Sequence, residues 1–414
     1  MSERPTPRTG PVLWLHSHFL LPTGGTKYIY EVVRRLAERR PVEVIVERAS
    51  DYWKERYAAA GVPLHEISKS TSTSKLYWLG FPRNLRGDRA AIDDLIERTD
   101  ASALVSSFFP MNQICVELGQ KHSLRHSHLC FEPFPFFHDR EVTGLYPLPN
   151  RILMGVLAML YGRIDEAGVR GADALLTLNK VTAGSIERVY GRSDAIPVYT
   201  GVDLDFFHPY GDDELADLRA KHGDGPLAIH STDFSPIKRT DLALAAFAAA
   251  AVPGSKLLIT STIDDRGGLE AMMSQARDLG IEDQTKYLGF VDYEDLPRYY
   301  SLADVLLQTG TSVNSGATSM SLPVKEALAC GTAVIRSHAT DEDVDDGVSG
   351  YLVDPADSAT TGTRLAELLG DRSRARAFGE AGRGKIAELY RWDRVVDLVE
   401  RSLSDRPAPI RSGS

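Results

Sequence analysis

Short apolar runs alternate with amphipathic stretches along this chain. Val12–His16 reads as a strand, Gly24-Gly25 follows it, and a helix is predicted from about Thr26 to Arg39. Val42–Val46 and Ala103–Phe108 read as further strands, the second leading into helical Asn112–Leu118. Ala174–Leu178 leads into a helix over Lys180–Tyr190. Strands separated by helical stretches in this way predict a parallel sheet with crossover helices. The pattern pauses over Ser193–Pro209, a turn-rich segment with Pro197, Gly201 and Pro209 that reads as a hinge. It then restarts. Leu227–His230, Lys256–Thr260, Thr285–Leu288, Val305–Gln308 and Ala333–Arg336 read as strands, with helices over Asp241–Ala250, Leu269–Leu279, Leu296–Ser301 and Val324–Ala329 between them.

The predicted fold class is therefore α/β, built as two Rossmann-like doubly wound domains. The first spans 1–198 and the second 199–385. A helix within 386–404, about Arg391 to Leu403, carries apolar Val395, Val396, Leu398, Val399 and Leu403 and is expected to pack back toward the first domain. The tail 405–414, rich in Pro, Ser and Arg, is expected to be disordered. Open parallel sheets bind ligands beyond the carboxyl ends of their strands, so two such edges facing across a cleft predict one site for a phosphate-bearing ligand.

Composition narrows the partners. The 414 residues are 43% hydrophobic and 25% charged, as in ordinary globular chains, and the formal net charge is −10. That sign argues against a nucleic-acid partner. Cys115, Cys130 and Cys330 are scattered, without metal-ligand spacing, and an odd number does not suit a disulfide framework. A reducing cytoplasm is the expected location. The polar Met1–Thr9 and the short Val12–Leu15 do not make a secretory leader. Ile152–Tyr161 is about half the length of a spanning helix. It reads as a buried or interfacial helix, which leaves room for weak peripheral contact with a membrane.

Several segments carry a resemblance. Lys286-Tyr-Leu-Gly-Phe-Val-Asp, the run Leu296-Pro-Arg-Tyr-Tyr-Ser-Leu-Ala-Asp-Val-Leu-Leu, Leu322-Pro-Val-Lys-Glu-Ala-Leu-Ala-Cys-Gly and Gly347-Val-Ser-Gly-Tyr-Leu-Val-Asp-Pro follow one another in order. With Tyr199-Thr-Gly-Val-Asp at the hinge, Ala172-Asp-Ala-Leu-Leu-Thr-Leu-Asn and Gly24-Gly25, they resemble the retaining family 4 glycosyltransferases of GT-B architecture over most of the chain. The resemblance implies transfer of a sugar from a nucleoside-diphosphate-sugar donor to a saccharide, lipid or secondary-metabolite acceptor. It implies retention of anomeric configuration, no metal and no further cofactor. Cationic side chains and backbone amides stabilise the departing diphosphate instead.

Site residues follow from the matching positions. Glu326, expected to open a helix, matches the glutamate that accepts from the donor ribose hydroxyls; its plain alternative is an exposed helix glutamate. Lys238 matches the family lysine at the diphosphate and otherwise reads as a solvated loop residue. Relatives place an arginine five residues before that lysine, where this chain has Asp233, and Arg239 is the candidate to restore the charge. Relatives also carry a glutamate eight residues before the one matching Glu326, followed by glycine-rich backbone. Here Thr318, Ser319, Met320 and Ser321 stand there, ahead of Leu322, and imply altered donor contacts or lost activity. Gly24, Gly25 and Thr26 offer helix-start amides and a hydroxyl to a diphosphate or acceptor.

Some positions keep two readings. His128 serves as the histidine beneath the reacting sugar if its strand ends early, although strict counting puts Phe131 there. In a strand, His126 and His128 share one face, which makes them a structural pair or a weak metal pair. His16 and His18 are equally open. Phe131, Phe134, Phe136 and Phe137 form an acceptor wall or pack beneath a loop. An oxidoreductase is disfavoured, since no G-x-G-x-x-G follows the first strand. A degenerate or non-transferring protein of the same architecture, binding or epimerising a nucleotide sugar, is the competing reading.

Overall fold

The computed structural model describes residues 9–404 apart from 145, 237, 262, 311–320 and 339–341. The expected tail 405–414 lies outside the described residues. The chain divides into two units, one running to Tyr199 and resumed from Asp393, the other running from Thr200 to Trp392.

The first unit holds a seven-stranded parallel sheet in the order β3-β2-β1-β4-β5-β6-β7. Its strands are β1 (Val12–Phe19), β2 (Val42–Ala49), β3 (Leu64–Glu66), β4 (Ala103–Ser107), β5 (Arg125–Cys130), β6 (Ala174–Thr177) and β7 (Ile196–Pro197). The second unit repeats the plan with six strands in the order β10-β9-β8-β11-β12-β13. These are β8 (Leu227–Thr232), β9 (Lys256–Ser261), β10 (Thr285–Gly289), β11 (Val305–Gln308), β12 (Ala333–Ser337) and β13 (Gly350–Val353). Both are doubly wound, Rossmann-like sheets, as the α/β pattern predicts. The interior strands β4, β11 and β12 are buried at every position, as expected where helices cover both faces of a parallel sheet.

Local chemistry sets the helix ends. The helix Lys180–Tyr190 begins where the Asn179 side chain accepts from the Thr182 amide at 2.8 Å and stops at Gly191, whose φ of 69° ends it in the left-handed region. Asp265 caps Arg266–Asp278 in the same way through the Gly268 amide at 3.1 Å. The terminal helix Trp392–Ser402 belongs to the first unit: the Ser402 carbonyl accepts from Arg125 Nε at 2.7 Å and from the Ser127 hydroxyl at 2.9 Å, and Arg39 pairs with Asp397 at 2.6 Å. Val395, Val396, Val399 and Leu403 are its buried apolar positions, while Leu398 is half-buried.

The first unit also buries an ionisable carboxyl. Glu47, near the carboxyl end of β2, is fully buried, and its Oε2 accepts from the Ser72 amide at 2.7 Å and hydroxyl at 3.0 Å. Burial pushes its carboxyl up to about 7, the Ser72 bonds opposing and the neighbouring Asp88 adding to the rise.

Candidate functional site

In the second unit the chain proceeds from β8 outward to β9 on one side and from β11 outward to β12 on the other, so the switch point lies between β8 and β11. The loop after β8 is tied across that point. The Thr309 hydroxyl, just after β11, donates to the Arg239 carbonyl at 2.8 Å and the Lys238 carbonyl at 3.3 Å. Inside the loop, Asp233 Oδ1 accepts from the Ser235 amide at 2.9 Å, and Thr232 Oγ1 accepts from the Phe234 amide at 2.9 Å. Asp233 is thereby turned onto its own backbone, a position that reduces its conflict with an anionic ligand.

Two cations sit in this loop, and they differ. Arg239 adopts a left-handed φ of 49°, and its guanidinium holds Asp241 through Nε at 2.9 Å and Nη2 at 2.8 Å. The charge that Arg239 is expected to restore is shared, in this structure, with the carboxylate that opens its own helix. Lys238 is half-buried, and its ammonium makes no hydrogen bond or ion pair among the described residues. Beneath the loop His230, buried in β8, places Nδ1 2.8 Å from the Leu307 carbonyl and Nε2 3.2 Å from the Thr240 hydroxyl. Burial lowers its titration to about 4, with the Leu307 bond opposing. A neutral ring that donates at Nδ1 and accepts at Nε2 satisfies both contacts. Sequence reasoning missed this peg, because a histidine in an apolar strand gives no signal of its partners.

Glu326 lies in the second turn of the helix Leu322–Ala329 rather than opening it, since Ser321 and Pro323 start the helix earlier. Its carboxylate is half-buried and accepts from the Tyr300 hydroxyl at 3.3 Å. Burial raises the Tyr300 phenol well above its usual range, Glu326 adding to the effect, so it stays a donor. Ser321 is buried and accepts from Gln308 Nε2 at 3.2 Å, and Leu322 is half-buried. Thr318, Ser319 and Met320 lie outside the described residues.

In the first unit Gly24 and Gly25 open the helix Gly24–Ala37 directly after β1. Thr23 caps it, accepting from the Thr26 amide at 3.3 Å. The buried Thr26 hydroxyl donates to the Leu21 carbonyl at 2.9 Å and the Thr23 carbonyl at 3.0 Å. The Thr26 hydroxyl, expected as a neighbouring donor, thus closes its own turn in this structure. A methyl group at Gly25 would meet nothing nearer than the Thr23 hydroxyl at 4.0 Å, so the protein itself leaves that approach open.

The histidines share a face of β5 as expected. Ser106 Oγ lies 2.7 Å from His126 Nε2 and 2.8 Å from His128 Nδ1. Because β5 continues to Cys130, the early strand end that a role beneath the sugar requires of His128 is absent; the ring is 3% exposed, and burial lowers its titration to about 4. His16 is likewise buried, against the Ser107 carbonyl at 2.5 Å, and titrates near 3 because of burial. Phe131 and Phe134 are buried, whereas Phe136 is exposed and stacks edge-on against Tyr146. Beside them Asp165 accepts from the Tyr190 hydroxyl at 2.6 Å, His138 Nε2 at 2.9 Å and Asn112 Nδ2 at 3.0 Å.

Residues 213–385, which contain the Lys238 loop, Tyr300 and Glu326, match the family model described as glycosyl transferases group 1. The chain carries a glycosyl transferases group 1 domain. The chain is 30% identical over 232 residues to a GDP-mannose-dependent alpha-(1-6)-phosphatidylinositol monomannoside mannosyltransferase of Mycolicibacterium smegmatis, covering 53% of this chain and 59% of the relative. It is 31% identical over 265 residues to a D-inositol 3-phosphate glycosyltransferase of the same organism, covering 60% of this chain and 59% of the relative. The chain thus spans about three fifths of the length of these curated relatives. Among solved structures, Anabaena Alr3699/HepE in complex with UDP superposes with a TM-score of 0.76 at 16% identity, over 96% of this chain and 100% of that one. WaaG, a glycosyltransferase involved in lipopolysaccharide biosynthesis, gives 0.69 at 13% identity, over 95% and 100%. The group 1 domain and the sheet preceding it therefore form a GT-B fold.

Proposed function

We propose that this chain is a retaining glycosyltransferase that moves a sugar from a nucleoside-diphosphate-sugar donor to a saccharide, lipid or secondary-metabolite acceptor without a metal or other cofactor, in the cytoplasm. The observation that carries this reading is the Lys238 ammonium, uncommitted among the described residues and held at the switch point of a group 1 domain by a loop bonded to Thr309. An ammonium already in place where negative charge grows on a leaving diphosphate lowers the barrier without reorganisation. Glu326, steadied by Tyr300, accepts from the donor ribose hydroxyls. The amides that open the helix at Gly24 and Gly25 suit an anionic group, the diphosphate or the acceptor.

The test is transfer from a panel of uridine, guanosine and thymidine diphosphate sugars in excess chelator, with the anomeric configuration of the product read by proton NMR. A productive donor at a hundred times its dissociation constant should also stabilise the fold by about 2.7 kcal/mol. Transfer that proceeds with retention in the chelator is expected. Inversion, or activity abolished by chelator and restored by Mg²⁺ or Mn²⁺, overturns the reading.

A further inference from the structure

The helix Leu148–Arg170 has two halves of opposite character. Gly162, Asp165, Gly168 and Val169 of the C-terminal half are buried. Asp165 is anchored by Tyr190, His138 and Asn112, and a Cβ at Gly168 would come within 2.8 Å of the Asn112 side chain. The N-terminal half leaves its apolar side chains in solvent: Leu148, Ile152, Val156, Met159 and Leu160 are 43 to 75% exposed. At about 100° of turn per residue, these five share one sector of roughly 120°. Met154, Leu157 and Tyr161, on the opposite side, are partly covered, as is Leu153 at the edge of the stripe. The apolar stripe is therefore an outward face and not a loosely packed inner one.

Charge indicates what covers it. Residues 142–164 contain Arg151 and Arg163 and no Asp or Glu, in a chain whose net charge is −10. Both arginines are exposed and flank the stripe. Exposed Tyr146 and Phe136, in contact with each other, sit beside its N-terminal end. A second copy docked through the same face would set arginine against arginine with no carboxylate in the segment to answer. An anionic headgroup layer answers both charges while its acyl boundary takes up the leucine, isoleucine and methionine side chains. The exposed half is about 20 Å long, short of a bilayer's hydrocarbon core, so it lies on the surface. We infer that Leu148–Leu160 is a docking face for an anionic lipid surface, with Ile152, Val156 and Met159 as the inserted residues and Arg151 and Arg163 as the headgroup contacts. This inference does not depend on the reaction the chain performs.

The test is flotation of the full chain with vesicles of phosphatidylcholine alone or mixed with phosphatidylglycerol. The chain is expected to float with the mixed vesicles, weakly with the neutral ones, and less as salt rises. Ile152→Asp combined with Met159→Asp should abolish flotation. Arg151→Gln with Arg163→Gln should weaken it by about fivefold per charge removed. All four side chains are exposed, so melting followed by circular dichroism should match the parent; if the aspartate pair fails to fold, the arginine pair decides. A parent that stays at the bottom with mixed vesicles overturns the inference. So does flotation that the arginine variant leaves unchanged, or a dimer, seen by light scattering, that the aspartate pair dissociates without changing flotation.

Discussion

Replacing Glu47 by glutamine isolates the energetic consequence of one buried carboxyl. Burial moves the titration of Glu47 from 4.5 in the exposed reference to about 7 in the fold. Between those values the native chain holds a proton that the unfolded chain has released. The group's contribution is therefore fully present below 4.5, declines as pH rises, and is exhausted above about 7. At about 1.36 kcal/mol per pH unit the decline amounts to roughly 3 kcal/mol. Glutamine keeps an acceptor for the Ser72 amide and hydroxyl and never ionises. The stability of Glu47→Gln relative to the parent should thus rise by roughly 3 kcal/mol between acid and about pH 8, whatever its offset in acid. Urea titrations across this range measure the difference, provided the slopes of the two proteins agree. His16, His128 and His230, whose titrations burial lowers to about 3, 4 and 4, tilt both curves the other way as pH falls below 6.5. Being common to both proteins, they cancel. A stability difference that stays flat with pH would refute the argument that Glu47 is held protonated in the fold.

Lys238→Ala should lower turnover about a hundredfold, on the scale of removing one electrostatic donor to the transition state, and rates equal to the parent in a folded variant would end that assignment. Thr318→Glu should damage transfer from the chain's own donor, since a carboxylate set against a sugar lacking the matching hydroxyl costs several kcal/mol or takes up a proton. Transfer from a common hexose donor that appears in Thr318→Glu and is absent in the parent would show decay instead of adaptation.

The fold was legible wherever periodicity and end signals coincided. Lys180–Tyr190 was readable at both ends because Asn179 and Gly191 mark them, and Val305–Gln308 because apolar Val305, Leu306 and Leu307 follow an aspartate and a glycine closes the run at 310. Phe81–Thr99 was not, since Pro82, Gly87 and a run of charges hide the buried Ile92, Leu95 and Ile96. β3 is only three residues long and β13 lies at the sheet edge, where a short strand has little pattern to show. Leu148–Arg170 registered only as the apolar stretch Ile152–Tyr161, because its buried half rests on two glycines and an aspartate, with Val169 as the one large apolar residue fully buried there. At the site, motif position led to Lys238 and Glu326. It could not show that Arg239 is held by Asp241, Thr26 by the Leu21 carbonyl or His128 by Ser106, because these partners are ordinary polar groups and backbone. Tyr300 and Thr309 were missed for the same reason: each acts through one hydroxyl whose direction only the fold determines.

The second unit begins and ends at the same place. The Val202 amide donates to the Tyr390 carbonyl at 2.8 Å, Val202 and Arg391 form a parallel bridge, and a Cβ at Gly201 would collide with the Trp392 ring at 2.2 Å. The whole second unit is thus an insertion within the first, its two connections stitched side by side, and the first unit recovers its last helix only after residue 392. A ribosome therefore delivers the parts out of structural order. Arg125 and Ser127 emerge early and wait for the Ser402 carbonyl while an entire second sheet is synthesised. The inserted unit can complete itself as soon as Trp392 is free to seat on Gly201, and the unit that starts first is the one that finishes last.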